Sequence, residues 1–324
     1  MTIEPTLTDP TPEFNQRCQA IIDIWETGEL PYAEALTRMT RLLTEAQAGT
    51  HRADEARAQS RLAYLYHYHG NFDLAIQHEE YARQIWGMVG NRLRVARSNL
   101  ALGEAYRYMG NYTRALAMYR AAHEYGLETE DTNLQMLVLT NEGQTLLSMG
   151  HTDAAFAALH KAVALAASLP DNDLDRDGSL CEVYHALGKI HLLRNQPLEA
   201  WRYARQVLAI ADALGEPMQL GFAQRALGDA ISALGALPPD TEPVFSSDPD
   251  VYYQAAIRAF GEMKAEGEQA LTLFAQAESL AQRGNTGAAA RRYQQAMVAF
   301  TRLNMVEAAA RAAQAQAKLY SSGS

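Results

Sequence analysis

The sequence predicts an all-α protein, a right-handed superhelical solenoid of about seven stacked antiparallel helix pairs followed by a C-terminal capping helix. Three observations predict this fold class. Glycine and small residues recur with a fixed period of 40 residues, long Ala-rich stretches favour helix over strand, and Gly or Asn separates the helical segments. Hydrophobic residues make up 48% of the 324 residues and charged residues 20%, which is a globular composition.

The period is clearest at Gly70, Gly110 and Gly150, because the rest of the pattern falls into register around them without a gap. Small residues stand seven positions before each glycine, and alanines stand five and twelve positions after it. A Tyr or Leu follows the first small residue by three positions, on the same helical face. In chain order the columns are Ala63, Gly103 and Gly143; Tyr66, Tyr106 and Leu146; Ala75, Ala115 and Ala155; and Ala82, Ala122 and Ala162.

Each repeat is therefore expected to consist of two amphipathic helices joined at the glycine turn. Glycine accepts the positive φ that ends the first helix, and Asn71, Asn111 or Thr152 is expected to start the next one. The small residues allow the two backbones to approach, and the Tyr or Leu fills the space beside them. One pair alone leaves an apolar face exposed, so neighbouring pairs must stack.

The order small residue, aromatic, Gly, Ala, Ala resembles the tetratricopeptide repeat. It occurs as LAYLYHYHGNFDLA, LGEAYRYMGNYTRA and EGQTLLSMGHTDAA. The period of 40, instead of 34, is similar to the long-helix class found in G-protein-modulator scaffolds, in the sensor arms of maltose-regulator-type bacterial activators, and in peptide-responsive regulators of Gram-positive bacteria. This resemblance implies a protein that binds ligands and whose repeats are not themselves an enzyme.

The other repeats follow the same pattern more loosely. A fourth unit around Gly188 comes after a five-residue expansion, with Asn195 at the glycine position, since Asn also tolerates a left-handed conformation. A fifth unit is interrupted by the Pro-rich insertion 236–250, where prolines forbid helix, and resumes at Val251. A last unit passes through Gly284, and the Ala-rich stretch from Val306 to Leu319 is expected to be the cap.

The predicted domain organisation is a disordered N-terminal tail over 1–13, one continuous superhelix over 14–319 that starts with a degenerate pair, and a disordered tail over 320–324. The alternative is a break at the insertion 236–250, which would give two sub-arrays. In either case the insertion is expected to be mobile and removable.

Charge and cysteine usage limit the classes of partner. The net charge of -10 and the pI of about 5.4 disfavour nucleic acid and anionic membranes as partners. No signal peptide and no run of 18 apolar residues is found, and the only two cysteines, Cys18 and Cys181, lie far apart. These features predict a cytoplasmic protein.

No catalytic, nucleotide-binding or cofactor motif is present in the sequence, so neither enzyme activity nor a cofactor is predicted. The one metal-like motif is DNDLDRDG, where Asp173, Asp175 and Asp177 match the first half of a calcium loop. The twelfth position, which should be Glu, is Tyr184. An acidic linker between repeats is therefore favoured over calcium, and no metal site is predicted.

The resemblance implies that the first helix of each pair lines a concave groove. Asn99 and Asn141 lie near positions where the relatives use Asn to hold an extended peptide backbone. The groove residues selected by this register are Arg57, Tyr64, His67, Tyr68, Arg97, Asn99, Glu104, Arg107, Tyr108, Asn141, Gln144 and Lys189.

The predicted function is a non-catalytic scaffold that binds a protein or peptide. The arginines Arg57, Arg97 and Arg107 favour an acidic or mixed-charge peptide, because guanidinium groups pair with carboxylates, while groove aromatics supply contact area. The alternative is a sensor of a ligand or peptide that acts through a separate output protein. The sequence does not identify the partner, and a solvated helix face remains the competing interpretation of these residues.

Overall fold

The computed structural model describes residues 8–170, 174–238 and 245–321, and within these ranges the chain forms fifteen α-helices and no strand. The helices are α1 Pro12–Glu26, α2 Tyr32–Ala48, α3 Arg52–Tyr68, α4 Phe72–Val89, α5 Arg92–Tyr108, α6 Tyr112–Glu128, α7 Thr132–Ser148, α8 Thr152–Ala166, α9 Leu174–Leu193, α10 Pro197–Leu214, α11 Pro217–Leu234, α12 Pro249–Glu262, α13 Glu266–Gln282, α14 Thr286–Arg302 and α15 Val306–Ser321. They give the predicted seven pairs and cap, so the predicted all-α repeat fold is confirmed.

The turns within the pairs form as the repeat pattern predicts. Gly70, Gly110 and Gly150 have φ near +80°, and Asn195 takes the same role with φ 56°. Asn71 caps α4 through its side chain, as Asn111 caps α6. Thr152 is the first residue of α8, but it does not cap the helix, because His151 is the N-cap residue and its side chain makes no cap hydrogen bond.

The small residues of the repeat are where paired helices come closest. A Cβ atom added to Gly103 would lie 2.3 Å from Cε1 of Tyr119, and one added to Gly143 would lie 2.6 Å from Cγ of Leu159. Both partner side chains are almost fully buried. The second helix of each pair therefore packs its large side chain directly on the backbone of the first, which explains why this position holds only Ala or Gly.

The chain divides into two compact units, one up to Val138 and one from Leu139, and the boundary lies inside α7. The Pro-rich insertion is not the boundary, because α11 and α12 on either side of it pack against each other as one pair. Helix α12 starts at Pro249 and not at Val251, so the last two residues of the predicted insertion are helical. Part of the insertion is ordered, since Phe245 contacts Trp201 edge-on at 5.1 Å between ring centroids, and Asp248 caps α12. The rest, residues 239–244, lies outside the described residues.

The N-terminal boundary differs from the prediction. Helix α1 starts at Pro12, and Thr11 donates from its backbone N–H and its hydroxyl to the carboxylate of Asp54, at 2.6 and 3.0 Å. Asn91 donates to the carbonyl of Thr8 at 2.9 Å. Residues 8–13 are thus tied to the repeats instead of forming a disordered tail, because Asp54 accepts hydrogen bonds at the start of α3. At the other end α15 continues to Ser321, and residues 1–7 and 322–324 lie outside the described ranges.

Within the described ranges, no helix is both long enough and apolar enough to cross a membrane.

Candidate functional site

The first unit contains a cavity of about 340 Å³ between α3 and α5, with α4 as its floor. Both walls are first helices of their pairs, as the repeat register predicts, and α4 packs against both of them. The polar and aromatic lining residues are Arg57, Ser60, Arg61, Tyr64, His67 and Tyr68 from α3, Glu79 and Trp86 from α4, and Arg94, Arg97, Ser98 and Glu104 from α5.

One end of this cavity, which we call the arginine end, is formed by Arg57, Arg61, Arg94 and Arg97. Gln19 accepts hydrogen bonds from Arg57, at 3.2 Å, and from Arg61. Throughout the described ranges, no carboxylate oxygen lies within ion-pair distance of these four guanidinium groups. The arginine end therefore concentrates positive charge on a chain whose net charge is negative.

Burial and mutual repulsion act on these cations. Arg57 is only 7% exposed, and burial lowers its pKa to about 9, with further lowering by the charges of Arg61 and Arg94. The pKa of Arg94 is lowered as well, by burial first and then by the nearby charge of Arg97. The cluster is poorly compensated inside the protein, which is the condition under which an anionic ligand is most strongly attracted.

The one carboxylate on the cavity floor is Glu79, which is 5% exposed. Its Oε1 accepts hydrogen bonds from the hydroxyl of Ser60 on α3, at 3.1 Å, and from that of Ser98 on α5. Burial raises the pKa of Glu79, although both serines and the nearby arginines favour its charged form. Glu79 thus links the two walls through α4.

The other end of the cavity, which we call the aromatic end, lies toward the C-termini of α3 and α5. The rings of Tyr64 and Tyr68 are 4.6 Å apart, and both contact Trp25 of α1 edge-on. His67 contacts Tyr108 of α5, with 5.2 Å between ring centroids. Arg57 and Tyr68 are eleven residues apart on one helix, so the two ends are separated by about 16 Å at 1.5 Å per residue.

The cavity brings together half of the twelve residues that the sequence selected, namely Arg57, Tyr64, His67, Tyr68, Arg97 and Glu104. Tyr108 and Arg107 lie beside its aromatic end, where the Arg107 guanidinium carbon is 4.5 Å from the Tyr108 ring centroid. Asn99 does not line the cavity: it is 6% exposed, and its Oδ1 accepts a hydrogen bond from Arg83 of α4 at 3.1 Å.

The remaining three selected residues belong to the second unit and line no part of this cavity. Asn141 is buried, and Gln144 donates to Glu182 of α9 at 2.7 Å. Lys189 is exposed on α9. The sequence treated both halves of the repeat array as one groove, whereas the described cavity uses only α3, α4 and α5.

The first helices of the second unit are joined by direct polar pairs. Burial lowers the pKa of His185 to about 4, with further lowering by the charge of Arg225. Hydrogen bonds between side chains of successive first helices contribute to holding the stack together. The hydrogen-bonded pairs are Thr140–Ser179 at 2.9 Å, Arg225–Glu268 at 2.6 Å and Ser232–Ser279 at 2.7 Å. Nε2 of His185 lies 3.9 Å from a carboxylate oxygen of Asp229, beyond hydrogen-bond distance.

Three important lining residues were missed by the sequence reasoning. Arg61 stands one helical turn after Arg57, and Arg94 stands three residues before Arg97, so the i,i+4 and i,i+3 spacings could have revealed both. Glu79 lies on a second helix, outside the predicted groove face, and no sequence signal indicated it.

No group of three His, Cys, Asp or Glu side chains suited to a metal ion occurs in the parts of the chain that the structure describes. Of the calcium-loop candidates, Asp173 lies outside the described residues. Asp175 and Asp177 belong to the first turn of α9 instead of a loop. Cys18 and Cys181 are buried, and burial raises the pKa values of their thiols to about 11 and about 12.

Comparison with known proteins agrees with this geometry. Residues 96–125 match the family model of the tetratricopeptide repeat. The match covers most of α5, the glycine turn that follows it and most of α6, in the register described above. The predicted resemblance to tetratricopeptide-repeat proteins is thereby confirmed. In the sequence comparison with curated proteins, nothing matches the chain.

Solved structures show the fold over nearly the whole chain. A Rap protein complexed with Competence and Sporulation Factor is 14% identical, with a TM-score of 0.60 over 97% of this chain and 99% of that one. The Rap conjugation gene regulator of a plasmid, in complex with the Phr* peptide, is 14% identical, with a TM-score of 0.60 over 96% and 97%. Aspartyl phosphate phosphatase F from Bacillus subtilis is 13% identical, with a TM-score of 0.66 over 89% of this chain and 70% of that one.

Proposed function

We propose that this protein is a non-catalytic scaffold that binds an acidic or mixed-charge peptide, or such a segment of a protein partner, in the cavity between α3 and α5. The observation that carries the proposal is the cavity itself, with its arginine end and its aromatic end. The side chains of both ends come from the first helices of their pairs, and tetratricopeptide-type repeats present the first helices to ligands.

The chemistry of the lining supports a peptide ligand. Guanidinium groups form paired, charge-assisted hydrogen bonds with carboxylates, and four of them meet at one end. Tyr64, His67 and Tyr68 offer rigid aromatic area for apolar side chains at the other end. Of the twelve predicted residues, those on α3 and α5 belong to this proposal, except Asn99, whose side chain is buried against α4. Asn141, Gln144 and Lys189 remain a proposed extension in the second unit.

Two of the structural neighbours carry peptides or factors in their structures, which agrees with this proposal. A second candidate function is a sensor module that binds its peptide and acts through a separate output protein, and the neighbour named as a gene regulator favours it. Another neighbour is named as a phosphatase. We propose a non-catalytic role here because arginines dominate the cavity, and guanidinium groups bind anions without exchanging protons. A cytoplasmic location is part of the proposal and agrees with two free cysteines.

The test is selection of binders from a display library of random short peptides, followed by titration calorimetry of the selected peptides with the intact protein. Replacing both Arg94 and Arg97 by Ala should weaken binding more than tenfold, because each lost charge-assisted hydrogen bond costs about 1.5 kcal/mol or more. Arg120→Ala is the matched control, since it removes an exposed arginine from α6 of the same unit, away from the cavity. Equal affinities for the double variant and the wild type would contradict the proposal.

A further inference from the structure

We infer that the arginine end of the cavity is a site for a phosphoryl group, a phosphomonoester dianion, with the rest of the ligand lying toward the aromatic end. The inference rests on the proposed use of this cavity for binding and specifies the chemical group that it recognises. Three features of the described residues carry it: the excess of charge, the unused donors, and the length of the cavity.

The charge at the arginine end exceeds what one carboxylate can neutralise. Four guanidinium groups meet there, and the single carboxylate on the cavity floor, Glu79, is buried between two serine hydroxyls. A peptide carboxylate would add one negative charge. A phosphomonoester carries about 1.5 to 2 negative charges at neutral pH and three strong acceptor oxygens, so it matches the excess more closely.

The donors of these arginines are largely unused inside the protein. Nε of Arg57 and Nε of Arg61 are buried and have no hydrogen-bond partner among the described residues. The only acceptor of their terminal nitrogens there is the neutral amide oxygen of Gln19. Arg94 and Arg97 face them from α5. A buried donor without an acceptor costs free energy, and an oxyanion with several lone pairs would remove that cost.

The planar guanidinium fork binds both carboxylate and phosphate oxygens in pairs, but a phosphoryl group has three acceptor oxygens and accepts from several arginines at once. Arginines from two helices approach from two sides of the cavity, so different oxygens of one phosphoryl group would be held by α3 and by α5. Two carboxylates from adjacent acidic residues are the competing ligand chemistry, and the experiment below separates them from a phosphoryl group.

The cavity is larger than a free phosphate ion requires. Its volume of about 340 Å³ lies at the lower end of small-molecule sites, and the rings of Tyr64 and Tyr68 lie along α3 beyond the arginines. A phosphoryl group attached to an aromatic or apolar body would fill both ends. Such a ligand is a phosphorylated peptide side chain or a small phosphomonoester.

The experiment is titration calorimetry of the full chain with phenyl phosphate and with benzoate, which share the ring and differ in the anionic group. Phenyl phosphate should bind at least tenfold more tightly than benzoate. Its affinity should fall at least tenfold in Arg94→Ala/Arg97→Ala, less in Arg97→Lys, which keeps the charge but not the fork, and not at all in Arg120→Ala. Far-UV circular dichroism establishes that each variant is folded.

A variant that binds phenyl phosphate more tightly provides a second measurement, because a misfolded protein would bind it more weakly. Glu79→Gln keeps an oxygen that accepts from Ser60 and Ser98 and removes the negative charge beside the ligand. It should bind phenyl phosphate several-fold more tightly than the wild type does. Unchanged or weaker binding by a folded Glu79→Gln protein would overturn the assignment of the phosphoryl group to this end of the cavity.

Further ligands distinguish a phosphorylated peptide from a small phosphomonoester. They also distinguish failure of the phosphoryl site from failure of the peptide scaffold. A phosphotyrosine peptide that binds tenfold more tightly than phenyl phosphate assigns the ligand to a phosphorylated peptide, and equal affinities assign it to a small phosphomonoester; both results support the inference. A peptide with two adjacent glutamates that binds as tightly as the phosphotyrosine peptide overturns it and leaves the peptide scaffold intact. Binding of phenyl phosphate without binding of any selected peptide overturns the scaffold and leaves the phosphoryl site intact.

Discussion

The substitution Gly103→Ala tests the packing rule on which the whole repeat depends. Gly103 lies on α5 beneath the ring of Tyr119 from α6, and an added Cβ would lie 2.3 Å from Cε1 and 2.6 Å from Cδ1. Both distances are far inside van der Waals contact. Tyr119 is 1% exposed, so its ring has no open space into which it can move.

The expected cost follows from two opposing effects. Overpacking of a dense core destabilises by about 1–3 kcal/mol, and replacing Gly by Ala within a helix returns about 1 kcal/mol. The net loss is therefore up to about 2 kcal/mol in the free energy of unfolding. Urea denaturation followed by far-UV circular dichroism measures it as a lower midpoint with an unchanged slope.

Gly188→Ala is the matched control, because Gly188 of α9 holds the equivalent place in the pair formed by α9 and α10. An added Cβ there would lie 3.7 Å from the Ala200 carbonyl oxygen and from Cβ of Tyr203, which is ordinary contact. This variant should be neutral or stabilised by up to about 1 kcal/mol. In a Tyr119→Ala background, Gly103→Ala should cost nothing. Equal losses for both glycine variants, or no coupling to Tyr119, would refute the reasoning.

Three further predictions concern single side chains. Burial raises the pKa of Glu79, so the carboxyl group binds a proton more tightly in the folded chain than in the unfolded chain. The free energy of unfolding therefore falls as pH rises from the ordinary pKa of 4.5 through the raised value. Glu79→Gln should therefore raise the melting temperature at neutral pH and flatten its pH profile, whereas a lower melting temperature would contradict this account. Glu268→Ala leaves the buried guanidinium of Arg225 unpaired and should cost about 3–5 kcal/mol in urea denaturation; a loss below 1 kcal/mol would show that the pair is dispensable. Asn111→Ala removes the side-chain cap of α6 and should cost about 1 kcal/mol, while Asn111→Asp, which keeps the acceptor, should cost little.

The candidate site could be predicted only in part, and the reasons are physical. The register placed Arg57 and Arg97 on the correct helices because side-chain direction follows from position in a helix. It also selected Asn99, because periodicity reports which face a residue is on but not which neighbour covers it. Arg83 of α4 covers Asn99 from the preceding helix. Glu79 was missed because it lies on α4, the second helix of its pair, and only the spacing of α3 and α5 exposes it to the cavity.

The loops were the least predictable part of the chain. The alternating aspartates were interpreted as an acidic linker between repeats, but α9 starts at Leu174 and includes Asp175 and Asp177. The Pro-rich insertion was predicted to end at residue 250, but α12 starts at Pro249, because proline is tolerated in the first turn of a helix. The aromatic contact of Phe245 with Trp201 depends on residues more than forty positions apart. Local propensity does not encode such contacts.

The sequence by itself determined the repeat, because glycine turns, small contact residues and Asn caps act within a few residues of one another. The 40-residue period then determined which helices pair. Only the tertiary structure decided that four arginines from α3 and α5 meet above Glu79 of α4, whereas the first helices of the second unit join through direct polar pairs. That difference depends on side chains one repeat apart in sequence, whose contact is set by how successive pairs stack and not by the pattern within any one of them.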